Sequence, residues 1–236
     1  MLSVDRSQSA LYAERYSNLK ITGTQFLAFR DVPDLIYKHV NGAATLDYGC
    51  GAGKSSAFLK SLDLCVDGVD INEKMVMQAR QSMPTGNFQV LKNGRIPAED
   101  ERYDFVFASW VLMEISTKQQ LIATLSEVAR VLKPGAIFMA IVCSADFYNN
   151  DWLTENTQFE ENQNLRSGCI VKMSFKEINL SLYDYFWCDD DYREVIQKAG
   201  LTLVQTHHPR GKDTDGYSWV TEKLKSPFTI YIAKKD

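Results

Sequence analysis

The stretch Thr45-Leu46-Asp47-Tyr48-Gly49-Cys50-Gly51-Ala52-Gly53 decides how this sequence folds. A short apolar run, Ala43 to Asp47, is stopped by a glycine cluster, and a segment with helical character, 54–62, follows. Strand, glycine turn and helix open an α/β unit. Glycines at that point let the backbone turn sharply and approach a ligand closely, at the carboxyl edge of the sheet. Three ligand classes use such a loop. The dinucleotide fingerprint GxGxxG, counted from Gly49, needs glycine at 54 and finds Lys54; counted from Gly51, it needs glycine at 56 and finds Ser56. A phosphate-binding P-loop is a nearer miss, because Gly53-Lys54-Ser55 is its second half but its first glycine falls on Tyr48.

Outward from this loop, strand-like and helix-like segments alternate, which predicts an α/β fold with a parallel sheet. Residues 8–19 and 32–40 read as helices, the second opening near Pro33. Cys65 to Asp70 reads as a second strand, and 72–82 as a helix with Asn72 as N-cap and Glu73 in the first turn. Phe88 to Leu91 is a third strand. Tyr103 to Ala108 is a fourth, a near-continuous apolar run of the kind buried on both faces. A helix from about 117 to 132, capped by Thr117, carries Leu121, Leu125, Val128 and Leu132 at helical spacing. Lys133-Pro134-Gly135 is expected to stop it before a fifth strand, Ala136 to Cys143. A helix over 190–199 ending at Gly200, a strand Leu201 to His207 and a last strand Phe228 to Ala233 complete the pattern.

Between them, residues 144–190 hold nine acidic and three basic residues and are rich in aromatics. Cys169 to Phe175 and Ile178 to Phe186 are spaced to pair as a hairpin. At this length the segment cannot comfortably bury a core of its own. We read 144–189 as an insertion on a single domain, 1–236, whose first 40 residues form a helical cap.

The 236 residues carry 26 basic against 30 acidic side chains, a net charge of −4, and 45% are hydrophobic, as in an ordinary globular protein. No apolar run approaches the roughly 20 residues that cross a bilayer. Asp5, Arg6, Glu14 and Arg15 interrupt the first twenty residues, which lack the apolar core of a signal peptide. The expectation is a cytoplasmic protein with no membrane partner. Five cysteines without a CxxC pair and three scattered histidines predict reduced thiols and no metal site.

The third ligand class for the loop is S-adenosylmethionine (SAM). Asp47-x-Gly49-x-Gly51-x-Gly53 resembles the (D/E)-x-G-x-G-x-G loop of class I SAM-dependent methyltransferases in all four specified positions. Asp70, 17 residues after Gly53, ends the second strand where that family places an acid for the two ribose hydroxyls. An acceptor-only carboxylate suits two neighbouring hydroxyl donors. Tyr103 to Ser109 resembles the family's fourth strand, and Val131 to Ala136 the entry to its fifth. The resemblance is close over 40–143 and looser over 190–235. It implies a Rossmann-like, seven-stranded, mostly parallel sheet with helices on both faces, SAM as cofactor and S-adenosylhomocysteine as product. The cofactor residues it implies are Asp47, Gly49, Gly51, Gly53, Asp70 and Ser109, with Ile71 as apolar cover for the adenine. Many members carry an aspartate after the third strand; here that role falls to Asn93 beside Gly94, although Asn93-Gly94 reads equally as a turn. Asp47 reads equally as a brace that fixes the loop by accepting backbone N–H bonds. Tyr16 and Lys20 are candidates for the cofactor carboxylate, against helix packing for Tyr12 and Tyr16 and a solvated lysine for Lys20.

The acceptor is harder to read. Methyl transfer is an in-line displacement in which positioning and water exclusion do much of the work, so no catalytic residue is assigned. Ser109-Trp110-Val111-Leu112-Met113 lacks the Asn/Asp-Pro-Pro-Tyr/Phe motif of base-amino methyltransferases, and no proline precedes a cysteine. An acidic insertion repels a phosphate backbone. A small-molecule acceptor with an N or O nucleophile is expected, and no nucleic acid. The segments 183–192 and 225–231 resemble a bacterial subgroup related to toxoflavin-type N-methyltransferases. Trp110, Met113, Tyr185, Trp187 and His207 are pocket candidates, against the plainer readings of core aromatics and a surface histidine. Two other classes stay open: a SAM-binding sensor or non-catalytic subunit, and an NAD(P) oxidoreductase.

Overall fold

The computed structural model describes residues 20–178 and 180–236; the helix expected over 8–19, with Tyr12 and Tyr16, lies outside the described residues. The apolar runs become β1 (Ala44–Tyr48), β2 (Cys65–Asp70), β3 (Asn87–Val90), β4 (Tyr103–Ser109) and β5 (Leu132–Cys143), all mutually parallel. With β9 (Leu201–His207) and β10 (Phe228–Lys235) they form one seven-stranded sheet, ordered β3-β2-β1-β4-β5-β10-β9. Strand β10 runs antiparallel to both of its neighbours, so the sheet is mixed at that edge.

The middle strands are covered on both sides. Along β5, Ile137, Met139 and Ile141 pack with Leu27, Phe29 and Leu59, while Phe138, Ala140 and Val142 pack with Leu121, Leu125 and Val195. This is the period-2 alternation of a strand buried on both faces. The first layer comes from α1 (Thr24–Arg30), α2 (Val32–His39) and α3 (Lys54–Lys60); the second comes from α5 (Lys118–Val131) and α6 (Asp189–Lys198). Helix α4 (Glu73–Ser82) adds Val76 and Ala79 to a small cluster with Cys50 and Phe88. The expected caps are present: Asn72 accepts from the Lys74 and Met75 amides, and Thr117 from the Gln120 amide.

Two expectations about elements are corrected. Helix α5 ends at Val131, and β5 begins at Leu132 (φ −73°, ψ 139°) rather than at Ala136. Lys133, the residue before Pro134, is driven out of the helical region, and the proline itself sits near the start of the strand, where a missing N–H is tolerated. Helix α1 was not expected from the sequence; its seven residues are too short to display a helical period.

The insertion carries β6 (Glu155–Asn156), β7 (Ile170–Phe175) and β8 (Leu180–Tyr185), an antiparallel sheet in which Ile170 faces Tyr185 and Phe175 faces Leu180. Its inward residues Val171, Met173, Phe175 and Leu182 join the α1–α3 side of the core rather than forming a separate one.

After β3 the chain returns to the other side of β1 to lay down β4. Such a reversal of strand order opens a crevice at the carboxyl ends of the two strands, where α/β sheets bind their ligands. Phe138 is fully buried beneath α5, so Phe138→Ala is expected to cost about 3–5 kcal/mol in urea unfolding. Tyr37→Ala, at a side chain 93% exposed, is expected to stay within about 0.5 kcal/mol of wild type.

Candidate active site

The crevice between β1 and β4 is a cleft with about 520 Å³ of open space, bounded by the glycine loop on one side and by Ser109 and Trp110 on the other. All three loop glycines have left-handed φ, +75° at Gly49, +51° at Gly51 and +90° at Gly53. The first is glycine for internal reasons, since a Cβ there would meet Val111 Cγ2 at 2.1 Å. The second differs: a Cβ on Gly51 would meet nothing within 4 Å, so its backbone faces the open cleft.

Two carboxylates hold this loop. Asp47 is fully buried, and its Oδ2 accepts from the Ser55 and Ser56 hydroxyls at 2.6 and 2.5 Å. It therefore braces the start of α3 through side-chain hydroxyls, not through the backbone amides expected from the sequence. Burial pushes its carboxyl up to about 6, against the pull of the two serines; the charge of Asp70 adds to the rise. Asp70 accepts the Gly51 amide on Oδ2 at 2.9 Å and the Asn72 amide on Oδ1 at 2.7 Å. Burial raises its pKa, and these two amides oppose the rise. Beside it, Ile71 is 53% exposed, an apolar surface with no apolar cover of its own.

Of the residues expected at a cofactor site, Gly49, Gly51 and Ser109 line the cleft, as does the pocket candidate Trp110, and Asp70 is bonded to it through Gly51. Lys20 is exposed and lines neither cavity described here. The cleft lysine is Lys54, whose pKa burial lowers to about 8. Asn93 and Gly94 (φ +53° and +69°) form a tight exposed turn closed by the Lys92–Arg95 bridge, and neither lines the two cavities. A two-residue turn with φ positive at both central positions is the one that Asn-Gly favours.

Trp110 also has left-handed φ, +57°, which is rare for a bulky side chain and marks a strained position. Its amide is held by the Ile141 carbonyl at 2.8 Å, and its ring packs edge-on against Phe29 and Phe228. On its far side lies a second cavity, with about 420 Å³ of open space, that shares Trp110 and Gln25 with the first. Met113 lines it, as expected. Tyr185, Trp187 and His207 line neither cavity. Tyr185 packs against the core on the α5–α6 side, Trp187 is buried there with its indole N–H on the Ile115 carbonyl, and His207 pairs with Asp31 at 2.9 Å. Alternation along β8 sends Tyr185 to the opposite face from Leu182 and Asp184, which do line the second cavity.

Sequence reasoning missed Gln25, Lys54, Glu155 and Asp184. Gln25 sits on the helix that was not expected. Lys54 was read only as a mismatch to other loop motifs. The two acids were absorbed into an apparently solvated acidic run, yet Glu155 is 1% and Asp184 3% exposed. Burial pushes the Glu155 carboxyl up to about 7; the Thr154 and Thr24 hydroxyls and Lys176 lower it, and the Glu222 charge raises it.

Residues 45–135 match the family described as a methyltransferase domain. The chain is similar to the probable tRNA methyltransferase 9B of Homo sapiens, 28% identical over 155 residues that cover 64% of this chain and 32% of that protein. It is also similar to the demethylmenaquinone methyltransferase of Tropheryma whipplei, 33% identical over 106 residues covering 43% of this chain and 41% of the relative. It thus spans less than half the length of these curated relatives. A SAM-dependent methyltransferase of Mesorhizobium loti shares the fold at 15% identity, with a TM-score of 0.65 over 90% of this chain and 100% of that one. Among the described residues no helix is long and apolar enough to cross a membrane.

The donor set suits an adenosyl group: an open glycine backbone, a half-buried carboxylate next to it, and an exposed isoleucine beyond.

The raised Glu155 carboxyl gives a pH signature. Between about pH 4.5 and about 7 the folded chain keeps a proton that the unfolded chain releases, so stability falls as pH rises through that window. Glu155→Gln removes this penalty. The variant is expected to be about 2–3 kcal/mol more stable than wild type at pH 8, with the gap closing toward pH 4.5. Denaturant unfolding across pH checks this, and a gap independent of pH contradicts it.

Proposed function

We propose that the protein transfers a methyl group from SAM to a small-molecule acceptor, with the cofactor in the cleft between the glycine loop and Trp110. The observation that carries this reading is the junction at Trp110, where a cleft floored by the methyltransferase-domain loop shares Trp110 and Gln25 with a second, mostly apolar cavity. A binding protein needs only the first space; a transferase needs both.

When bound, SAM supplies a methyl group on a positively charged sulfur, activated for displacement. The chain's own residues hold and shield it. Asp70, already fixed by two amides, has lone pairs left for vicinal ribose hydroxyls. Ile71 covers the adenine and the Lys54 ammonium takes the cofactor carboxylate, in place of Lys20. Asp47 and Gly49 act one step back, by fixing the loop that presents the Gly51 backbone. Trp110 and Gln25 stand between cofactor and acceptor, and the insertion sheet closes the acceptor side against water. Exclusion of water and fixed approach account for the greater part of the rate in such a displacement.

A small acceptor is favoured by the second cavity's mostly apolar lining and by the insertion's charge, nine acids against three bases over 144–190.

Calorimetric titration tests the cofactor reading. Wild type is expected to bind SAM and S-adenosylhomocysteine at micromolar Kd and to bind neither NAD nor ATP. Asp70→Ala is expected to weaken both by about 100-fold, the loss of two hydrogen bonds to a charged group. Ile71→Ser, at an exposed position that leaves the loop intact, is expected to weaken them by about tenfold without changing Tm. Binding of NAD or ATP in their place contradicts the reading. Binding without S-adenosylhomocysteine release from any acceptor leaves a sensor or non-catalytic subunit.

A further inference from the structure

Glu155 is a buried carboxylate with an oxygen that nothing in the protein satisfies. Its Oε2 accepts the Thr154 hydroxyl at 2.9 Å, while Oε1 has no hydrogen-bond partner and the side chain lines the cavity behind Trp110. Leaving such an acceptor unpaired costs about 1–3 kcal/mol, so a buried orphan of this kind marks a place where a donor arrives.

The Thr154 hydroxyl that holds this carboxylate belongs to a network drawn from three segments. Thr24 and Thr154 exchange hydrogen bonds, each hydroxyl accepting the other residue's amide, at 3.1 and 3.2 Å. The Thr24 hydroxyl donates in turn to Glu222 Oε1 at 2.7 Å. Glu222, fully buried, also takes the Leu153, Val220 and Thr221 amides. Helix α1, the insertion and the C-terminal segment thus meet in the network that Thr154 links to Glu155, at the wall of a mostly apolar chamber.

We propose that this chamber is the acceptor site, and that Glu155 Oε1 receives the N–H or O–H of the acceptor's nucleophile, selecting planar apolar molecules with one such donor. The proposal rests on SAM occupying the neighbouring cleft. Phe147, Phe175, Leu182 and Phe228 supply flat apolar walls, so polar recognition falls to the few remaining groups. In the transfer, the lone pair of the acceptor nitrogen or oxygen forms the new bond to the methyl carbon. The carbon–sulfur bond breaks with its electron pair left on sulfur, giving the neutral thioether, and the acceptor's proton passes to Glu155. Charge balances: a sulfonium, a neutral acceptor and a carboxylate become a thioether, a methylated acceptor and a carboxylic acid. The charged and titratable groups around this carboxylate are Glu222 from the C-terminal segment, Lys176 after β7 and Asp184 from β8, which shares the chamber wall. With its pKa at about 7, Glu155 is poised to take a proton near neutrality.

The test uses the whole chain saturated with S-adenosylhomocysteine and three probes: 2-naphthol (O–H), benzimidazole (N–H) and 1-methylbenzimidazole (no donor). Quenching of tryptophan fluorescence reports occupancy beside Trp110. Wild type is expected to bind the two donor probes at least tenfold more tightly than 1-methylbenzimidazole. Glu155→Gln is expected to abolish that preference while binding S-adenosylhomocysteine as wild type does. Leu182→Trp, which fills the chamber, is expected to exclude all three probes and retain S-adenosylhomocysteine. With SAM and a turned-over acceptor, Glu155→Gln is expected to lower kcat about 100-fold and to lose the rise of kcat/KM through about pH 7. Equal binding of all three probes to wild type, no binding of any, or an unchanged preference in Glu155→Gln overturns the proposal while leaving the cofactor reading intact. Failure of wild type to bind S-adenosylhomocysteine overturns the cofactor reading instead.

Discussion

The Asp70 carboxylate, at the carboxyl end of β2, receives the Gly51 amide on one oxygen and the Asn72 amide on the other. Through that pair of bonds the loop after β1 is tied to the start of the helix after β2. Neither loop can move without breaking a hydrogen bond to a charged group, a loss of about 1.5–3 kcal/mol each. The glycines on their own only permit the turn. Asp70 fixes it, and Asp47, from underneath, pins the start of α3 through two serine hydroxyls. The two acids also repel each other, as the contribution of Asp70 to the raised Asp47 carboxyl shows. The loop is thus a place where the fold holds two costly carboxylates close together in order to present a backbone at a fixed position.

A second constraint acts on the other side of the cleft. The chain leaves β4 through a tryptophan in a left-handed conformation, which bulky residues avoid. The Ile141 carbonyl and the rings of Phe29 and Phe228 hold it there. What this strained turn gains is a large flat side chain standing between two cavities. Behind it, the insertion adds no core of its own. Its apolar residues complete the α1–α3 side of the main core, and its acids are divided between solvent and the chamber wall.

The fold was legible because its carriers are local. The glycine loop, the Asn72 and Thr117 caps, the alternation of strands with helices and the hairpin of the insertion all follow from patterns a few residues long. The site was legible only where it touches those patterns: Gly49, Gly51, Asp70, Ser109 and Trp110 were named because they sit at strand ends. Residues whose role comes from tertiary convergence were not. Glu155 lies 131 positions from Thr24 and 67 from Glu222 in the sequence, and nothing local distinguishes it from its exposed neighbours Asp151 and Glu160. Tyr185 and Trp187 were drawn toward the pocket by composition, whereas the register of β8 and the indole bond to Ile115 place them in the core. The Asn93-Gly94 turn, in contrast, is local turn chemistry that the sequence carries by itself.

The most direct test of the account is a crystal structure of the protein with S-adenosylhomocysteine. The account predicts the adenosyl group against the Gly51 backbone, its ribose hydroxyls on the Asp70 carboxylate, and its sulfur turned toward Trp110 and the chamber that Glu155 lines. A ligand bound away from the glycine loop, or bound there with its sulfur directed away from Trp110, would contradict it.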